Sequence, residues 1–326
     1  MAQTVPGEKD PQILVQIREF LNGLNNSGGK PMEEMAPEEA RQVLVDAQKS
    51  VDVDTSGITE TEREITQDNI TVNIHIIKPE NAENEKLPVF MFIHGGGWVL
   101  GDYPTHKRLV RDLVVNSGAA AVFVDYTPSP EAHYPIAINQ IYAATKWVAE
   151  NGAEIGVDGS NLAIAGNSVG GNMTAVTCLM AKDKGGPEIK FQLLLWPVTD
   201  ADFTRASWQK YAGGRFLTAN MMKWMWNHYL PDAEKRKEYY ATPFSAPLEE
   251  LKGLPPALVQ LAENDILFDE GLAYARKLDE AEVPTTIQTF NGFIHDYGLL
   301  NPLDHIEAVK LSTEQAALAL HRALFS

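Results

Sequence analysis

The chain has 326 residues, 44% of them hydrophobic, with 27 Lys and Arg against 44 Asp and Glu for a formal net charge of −17. That length and apolar content suit one large α/β domain or two small ones, and the acidity argues against nucleic acid or an anionic membrane surface as a partner. The one cysteine, Cys178, excludes an intrachain disulfide and reads as a packed core thiol in an apolar stretch.

Met1 to Asp10 is polar and acidic, without the apolar core of a secretion signal. No run approaches the ~18 apolar residues of a membrane span. A cytoplasmic protein without membrane insertion is expected. Residues 11–24 carry Ile13, Leu14, Ile17, Phe20, Leu21 and Leu24 at helical spacing. Residues 37–51 do the same with Ala40, Val43, Leu44, Ala47 and Val51, and Pro37 is placed to start that helix. Asn22 to Met35 reads as a loop between them. The pair reads as an appended helical piece.

Glu60 to Thr66 and Thr71 to Ile77 alternate in the manner of antiparallel edge strands. Short apolar runs then alternate with longer helical patterns. The expected strands are Leu87–Ile93, Ala119–Asp125, Leu162–Gly166, Phe191–Trp196, Ala257–Leu261 and Thr285–Phe290, and the helical patterns fall near 105–116, 135–151, 169–182, 269–281 and 303–324. Near-continuous apolar strands in this alternation predict a mostly parallel sheet flanked on both faces by helices.

Asp200 to Pro231 breaks the alternation. It reads as an insertion after the Phe191–Trp196 strand, with Thr218 as N-cap of a helix ending before Pro231. Its wealth of Trp and Met predicts the wall of an apolar pocket, with Phe203, Trp208, Phe216, Met222 and Trp226 as the expected lining.

Two glycine-rich segments, each ending a strand pattern, carry the chemistry. Gly166-Asn167-Ser168-Val169-Gly170-Gly171 sets a serine on a tight strand-to-helix turn. Gly166 and Gly170 keep side chains out of that turn, and the Val169 N–H, opening a helix, is placed to face a developing oxyanion. His94-Gly95-Gly96-Gly97-Trp98 offers further backbone donors, with Gly96 and Gly97 expected to supply them. His94 is expected to brace its loop, supported by Gly95.

A serine hydroxyl needs a base. Of eight histidines, His295 lies just beyond the last strand, where this architecture puts its base, and His133 in the Pro128–Pro135 loop is the other one worth keeping. The orienting acid should follow the preceding strand. Asp265 is assigned there, Glu263 remains a competitor, and Asp269 is explained as a helix cap. The order Ser168, Asp265, His295 is nucleophile, acid, base.

From about Pro88 onward the chain resembles the bacterial hormone-sensitive-lipase-like carboxylesterases, family IV of the esterases. The matching pieces are His94 to Gly97, the Tyr126-to-Pro135 loop, Gly166 to Gly171, Asp265 to Gly271 and Gly292 to His295. Asn167, Val169 and Ile266 depart from the usual Asp, small residue and Pro. The resemblance implies an α/β-hydrolase fold with an eight-stranded sheet. It implies a helical cap made of residues 1–50 and an insertion at about 200–231, on a catalytic domain of residues 51–326. It implies hydrolysis of short- to medium-chain acyl esters, a small-molecule ester as the partner, no metal or organic cofactor, and a homodimer through the last strand and C-terminal helix. The expectation is a serine carboxylesterase working through an acyl-enzyme. An amidase or deacetylase would use the same triad. A non-catalytic receptor on this fold would lack the nucleophile or the base.

Overall fold

The computed structural model describes residues 5–82 and 86–326. The first four residues of the polar N-terminus lie outside them. Eight strands form one sheet: β1 Ile58–Gln67, β2 Ile70–Pro79, β3 Leu87–Ile93, β4 Ala120–Asp125, β5 Val157–Asn167, β6 Gln192–Leu195, β7 Ala257–Asn264 and β8 Thr285–Ile294. Their spatial order is β1-β2-β4-β3-β5-β6-β7-β8. The first three pair antiparallel and the rest parallel. Only β1 of the first two is an edge. β2 is flanked on both sides, because its unpaired N–H and C=O groups find β4.

The period-2 alternation of each strand divides the core. Val89, Met91 and Ile93 of β3, with Leu162 and Ile164 of β5, face one buried cluster. Phe90, Phe92, Ala163 and Ala165 face the other. The helices are α1 Val15–Asn25, α2 Pro37–Lys49, α3 Tyr103–Ser117, α4 Ile136–Asn151, α5 Val169–Lys184, α6 Ala206–Lys210, α7 Ala219–Tyr229, α8 Leu248–Leu251, α9 Phe268–Glu280 and α10 Glu307–Phe325. Helices α4, α5 and α9 close the first cluster, and α3 and α10 the second. Each large side chain so buried contributes about 1.5–3 kcal/mol.

The N-terminal segment is tied down by polar contacts. Arg215 pairs with buried Asp10 at 2.7 Å, and the Leu14 N–H donates to the Gly292 carbonyl. On α2, Arg41 reaches the Val99 and Ser129 carbonyls and forms a forked pair with Glu131. Gln48 bonds the backbone of Thr105, Leu299 and Asn301.

Strand order reverses between β3 and β5, since β4 lies on one side of β3 and β5 on the other. A crevice at the carboxyl ends of the strands is the consequence of such a reversal in open α/β sheets. Both glycine-rich segments end there.

Candidate active site

Ser168 stands between the last residue of β5 and the first of α5. Its backbone is held at φ 55°, ψ −119°, a left-handed conformation that a non-glycine residue adopts only when its surroundings impose it. The surroundings are tight. A Cβ on Gly166 would come within 2.4 Å of the Gly170 carbonyl oxygen, and one on Gly170 within 1.9 Å of the Ile93 carbonyl oxygen. Glycine at both positions lets β5 turn into α5 directly against β3.

His295 immediately follows β8, which runs four residues further than its alternating pattern suggests. Asp265 immediately follows β7. His295 Nε2 lies 3.0 Å from Ser168 Oγ, and His295 Nδ1 lies 2.6 Å from Asp265 Oδ2. The other carboxylate oxygen, Oδ1, accepts the Leu267 N–H at 2.9 Å, which fixes the orientation of the acid. All three side chains are buried. Burial alone would lower the imidazole pKa, but the charges of Asp265 and Asp296 and the bond from Asp265 hold it above the ordinary histidine value.

The loop after β3 holds Gly96 at φ 101° and Gly97 at φ 65°. A Cβ on Gly96 would strike the Leu100 carbonyl oxygen at 2.4 Å, and one on Gly97 would lie 2.0 Å from Met225 Sδ. The Val169 N–H is the first of α5 and has no partner inside the helix. His94 is wholly enclosed. Its Nδ1 lies 2.8 Å from the Gly95 carbonyl, and its ring stacks 4.1 Å from Tyr126. Burial pushes its pKa down to about 4, so it stays neutral.

Gly96, Gly97, Ser168, His295 and Asp296 open onto a cavity of about 480 Å³. Of the five lining residues expected from the sequence, Phe216 lines it. Phe203, Trp208, Met222 and Trp226 do not. Trp226 packs beside Trp98 and Tyr229, Met222 is core, Trp208 donates to Glu270 Oε2, and Phe203 lies against Trp208. The wall on this side is instead Leu217, Met221 and Met225. The opposite wall comes from the N-terminal segment, with Phe20, Leu24, Met32, Met35, Val43 and Leu44. Both α7 pairs have helical spacing, and only the partner of each face tells them apart.

The remaining acids and His133 lie elsewhere. Glu263 is inside β7 and accepts the Gly292 N–H at 2.9 Å. Asp269 does not cap its own helix, whose N-cap is Leu267. It accepts the Ser207 N–H at 2.7 Å and so serves the start of α6. His133 is exposed, with Nδ1 against the His228 carbonyl. Two buried acids carry roles that the sequence reading missed. Glu270 accepts from the Thr199 and Asp200 N–H groups and the Trp208 indole, and burial pushes its carboxyl up to about 8. Asp296 sits beside His295, with Oδ2 3.7 Å from Nε2. Its position next to the base was the available signal. Cys178 is buried, and burial pushes its thiol pKa up. Among the described residues no group of three or more His, Cys, Asp or Glu could hold a metal ion, and no helix is long and apolar enough to cross a membrane.

A family model described as alpha/beta hydrolase fold, Abhydrolase_3, matches residues 90–299. Carboxylesterase NlhH of Mycobacterium tuberculosis is 36% identical over 265 residues, covering 81% of this chain and 82% of that one. Esterase LipI of the same organism is 37% identical over 224 residues, covering 67% of each chain. The crystal structure of a thermostable esterase from Pseudomonas putida superposes with a TM-score of 0.95 at 58% identity, covering 97% of this chain and 98% of that one. The chain therefore belongs to the α/β-hydrolase fold family, within its hormone-sensitive-lipase-like group of carboxylic ester hydrolases.

Proposed function

We propose that this protein is a serine carboxylesterase that cleaves short- to medium-chain acyl esters through an acyl-enzyme. The observation that carries the reading is the unbroken contact path Asp265–His295–Ser168, opening onto an apolar cavity beside Gly96 and Gly97. Ser168 Oγ attacks the ester carbonyl while its proton passes to His295 Nε2. The carbonyl oxygen becomes an oxyanion that receives the N–H groups of Gly96, Gly97 and Val169, aided by the α5 dipole. Asp265 holds Nδ1 protonated, so that Nε2 is free to accept, and then stabilises the imidazolium. The tetrahedral intermediate collapses, and the leaving alcohol takes the proton from Nε2. Water repeats the sequence on the acyl-serine, releasing the acid and restoring Ser168.

Residues 1–50 and the insertion at 200–231 are read as one cap, since side chains from both line the cavity. The enclosed volume favours acyl groups of modest length over long chains. The reading includes a cytoplasmic location and a homodimer through β8 and α10. β8 is a sheet edge, and Ile287, Leu311 and Leu318 on these two elements are exposed. Gel filtration at several concentrations tests the dimer.

A fluorophosphonate probe tests the mechanism. Stoichiometric labelling at Ser168, lost together with ester turnover in Ser168→Ala, is the expected result. A folded Ser168→Ala variant with wild-type turnover refutes it.

A further inference from the structure

Four strand ends are joined by a buried polar path that the steps above do not use. Asn167, the last residue of β5, is wholly buried. Its Oδ1 accepts the Gly95 N–H at 2.9 Å, and its Nδ2 donates to Asp296 Oδ1 at 3.1 Å. Trp196, one residue past β6, donates its indole N–H to the same oxygen at 2.6 Å. Gly95 precedes Gly96, Asn167 precedes Ser168, and Asp296 follows His295. Each of these three members is thus one residue from a group that the mechanism employs. Room for the path is built in. A Cβ on Gly95 would come within 2.5 Å of Asn167 Nδ2, and one on Gly298 within 2.6 Å of the Trp196 ring.

The side chains are complementary in one sense only. The Gly95 N–H needs an acceptor at position 167, and the carboxylate at 296 needs a donor from it. An amide does both. Aspartate at 167 would satisfy Gly95 and set a second carboxylate about 3 Å from the first, an arrangement in which only one ionises readily.

We propose that Asn167 and Asp296 are positioning residues. They form a strut that sets the spacing of the oxyanion loop, the nucleophile turn and the base loop, and the amide at 167 is required by the carboxylate at 296. The proposal rests on the serine-esterase reading and adds to it a reason for the unusual residue before Ser168. It also gives Asp296 a second effect. Three acids face His295: Asp265 beyond β7, Glu270 on α9 and Asp296 on its own loop. Asp296→Asn keeps an acceptor oxygen for Asn167 and Trp196 but removes the Asp296 charge.

The test measures kcat and KM between about pH 6 and 9 for Asn167→Asp, Asp296→Asn and the double variant, with thermal melts. Asn167→Asp should lower kcat about tenfold or more at pH 9, less at pH 6 where the acid pair shares a proton, with KM held within about twofold. The double variant has one carboxylate again and loses the repulsion, but the amide at 296 cannot both donate to the carboxylate at 167 and accept from Trp196 at the shared position, so it should recover part of that kcat at pH 9. Asp296→Asn should lower the midpoint of the kcat/KM profile. The proposal is overturned by wild-type kcat in Asn167→Asp across the range, or by a folded double variant no better than Asn167→Asp. If Asn167→Asp does not fold, Asn167→Ala, which removes both the Gly95 and the Asp296 contact, decides: kcat should fall with KM held, and wild-type kcat in the folded variant overturns the proposal. Ser168→Ala is run alongside. Turnover persisting there counts against the serine reading, whereas a failed strut test with an inactive Ser168→Ala counts against the strut alone.

Discussion

Replacing Asp265 by asparagine changes no volume, yet the geometry makes it a severe substitution. Asp265 Oδ1 is bonded to the buried Leu267 N–H and Oδ2 to His295 Nδ1. An amide has one oxygen and one NH2 for these two places. With the oxygen toward Leu267, the NH2 faces Nδ1, which must then be unprotonated. Nε2 then carries the proton and cannot accept one from Ser168. Reversing the amide restores the useful tautomer but leaves the Leu267 N–H unpaired, at a cost of about 1–3 kcal/mol. That cost alone depletes the competent form by about 5–150-fold. The imidazolium formed during attack also loses its anionic partner, and the same change in a serine protease costs about 10⁴ in kcat. The expected loss here is about 10²–10⁴ in kcat with an unchanged melting temperature. Glu263→Gln, which alters a brace on Gly292, and Asp269→Asn, which alters a contact to Ser207, should keep kcat within about threefold. Initial rates on a chromogenic acetate ester, with Ser168→Ala as the floor, decide the matter. An Asp265→Asn variant within tenfold of wild type, or an inactive and folded Glu263→Gln, refutes the assignment of the acid.

Only neutral His295 can accept the serine proton, and its pKa is raised, so kcat/KM should fall as pH drops through a midpoint above about 6.5. A profile flat to pH 4 points to another base. Gly96→Ala drives a Cβ into the Leu100 carbonyl at a positive φ, so the loop must shift and kcat should drop about 10²–10³. Over a series of acyl lengths, each methylene that the cavity accepts should raise kcat/KM by about fourfold, from 0.8 kcal/mol per CH2, until the volume is filled. Phe216→Ala should move the peak to longer chains, and long-chain emulsified triglycerides as best substrates would contradict this. Dialysis against EDTA should leave activity unchanged, and loss restored by zinc would sink the serine mechanism.

The strands were legible because burial on both faces leaves few polar residues in β3, β4 and β6, and alternation marks β1 and β2. Strand ends were less so. β8 continues through Gly292 and Phe293 because Glu263 and Leu14 take up the Gly292 backbone groups, contacts across the fold that no local pattern encodes. Ser168, Asp265 and His295 could be read because each follows a strand directly and sits at the same end of the sheet. The pocket wall could not. Helix α7 is apolar on two faces, and the choice between Met221 with Met225 and Met222 with Trp226 is made by Trp98 and by the N-terminal helices. Those helices looked like an appendage, although half-exposed Leu24 and Val43 on their apolar stripes were a signal that they face something other than core. Asn167 was visible as an oddity. Its meaning lay in Asp296, 129 residues away.

The tethers of the N-terminal segment also bear on how the molecule is made. Residues 5–49 are made before the residues they pack on, for Asp10 and Leu14 ahead of α1 are fastened to Arg215 and Gly292, and α2 to Leu299 and Asn301. This segment must therefore wait, with its apolar stripes unsheltered, until the chain through Asn301 has emerged. Such long-range closure is slow, and it leaves an intermediate prone to association. Slower synthesis or lower temperature should accordingly raise the yield of active protein, and a bulky fusion ahead of Val5 would burden the step on which enclosure of the chamber depends.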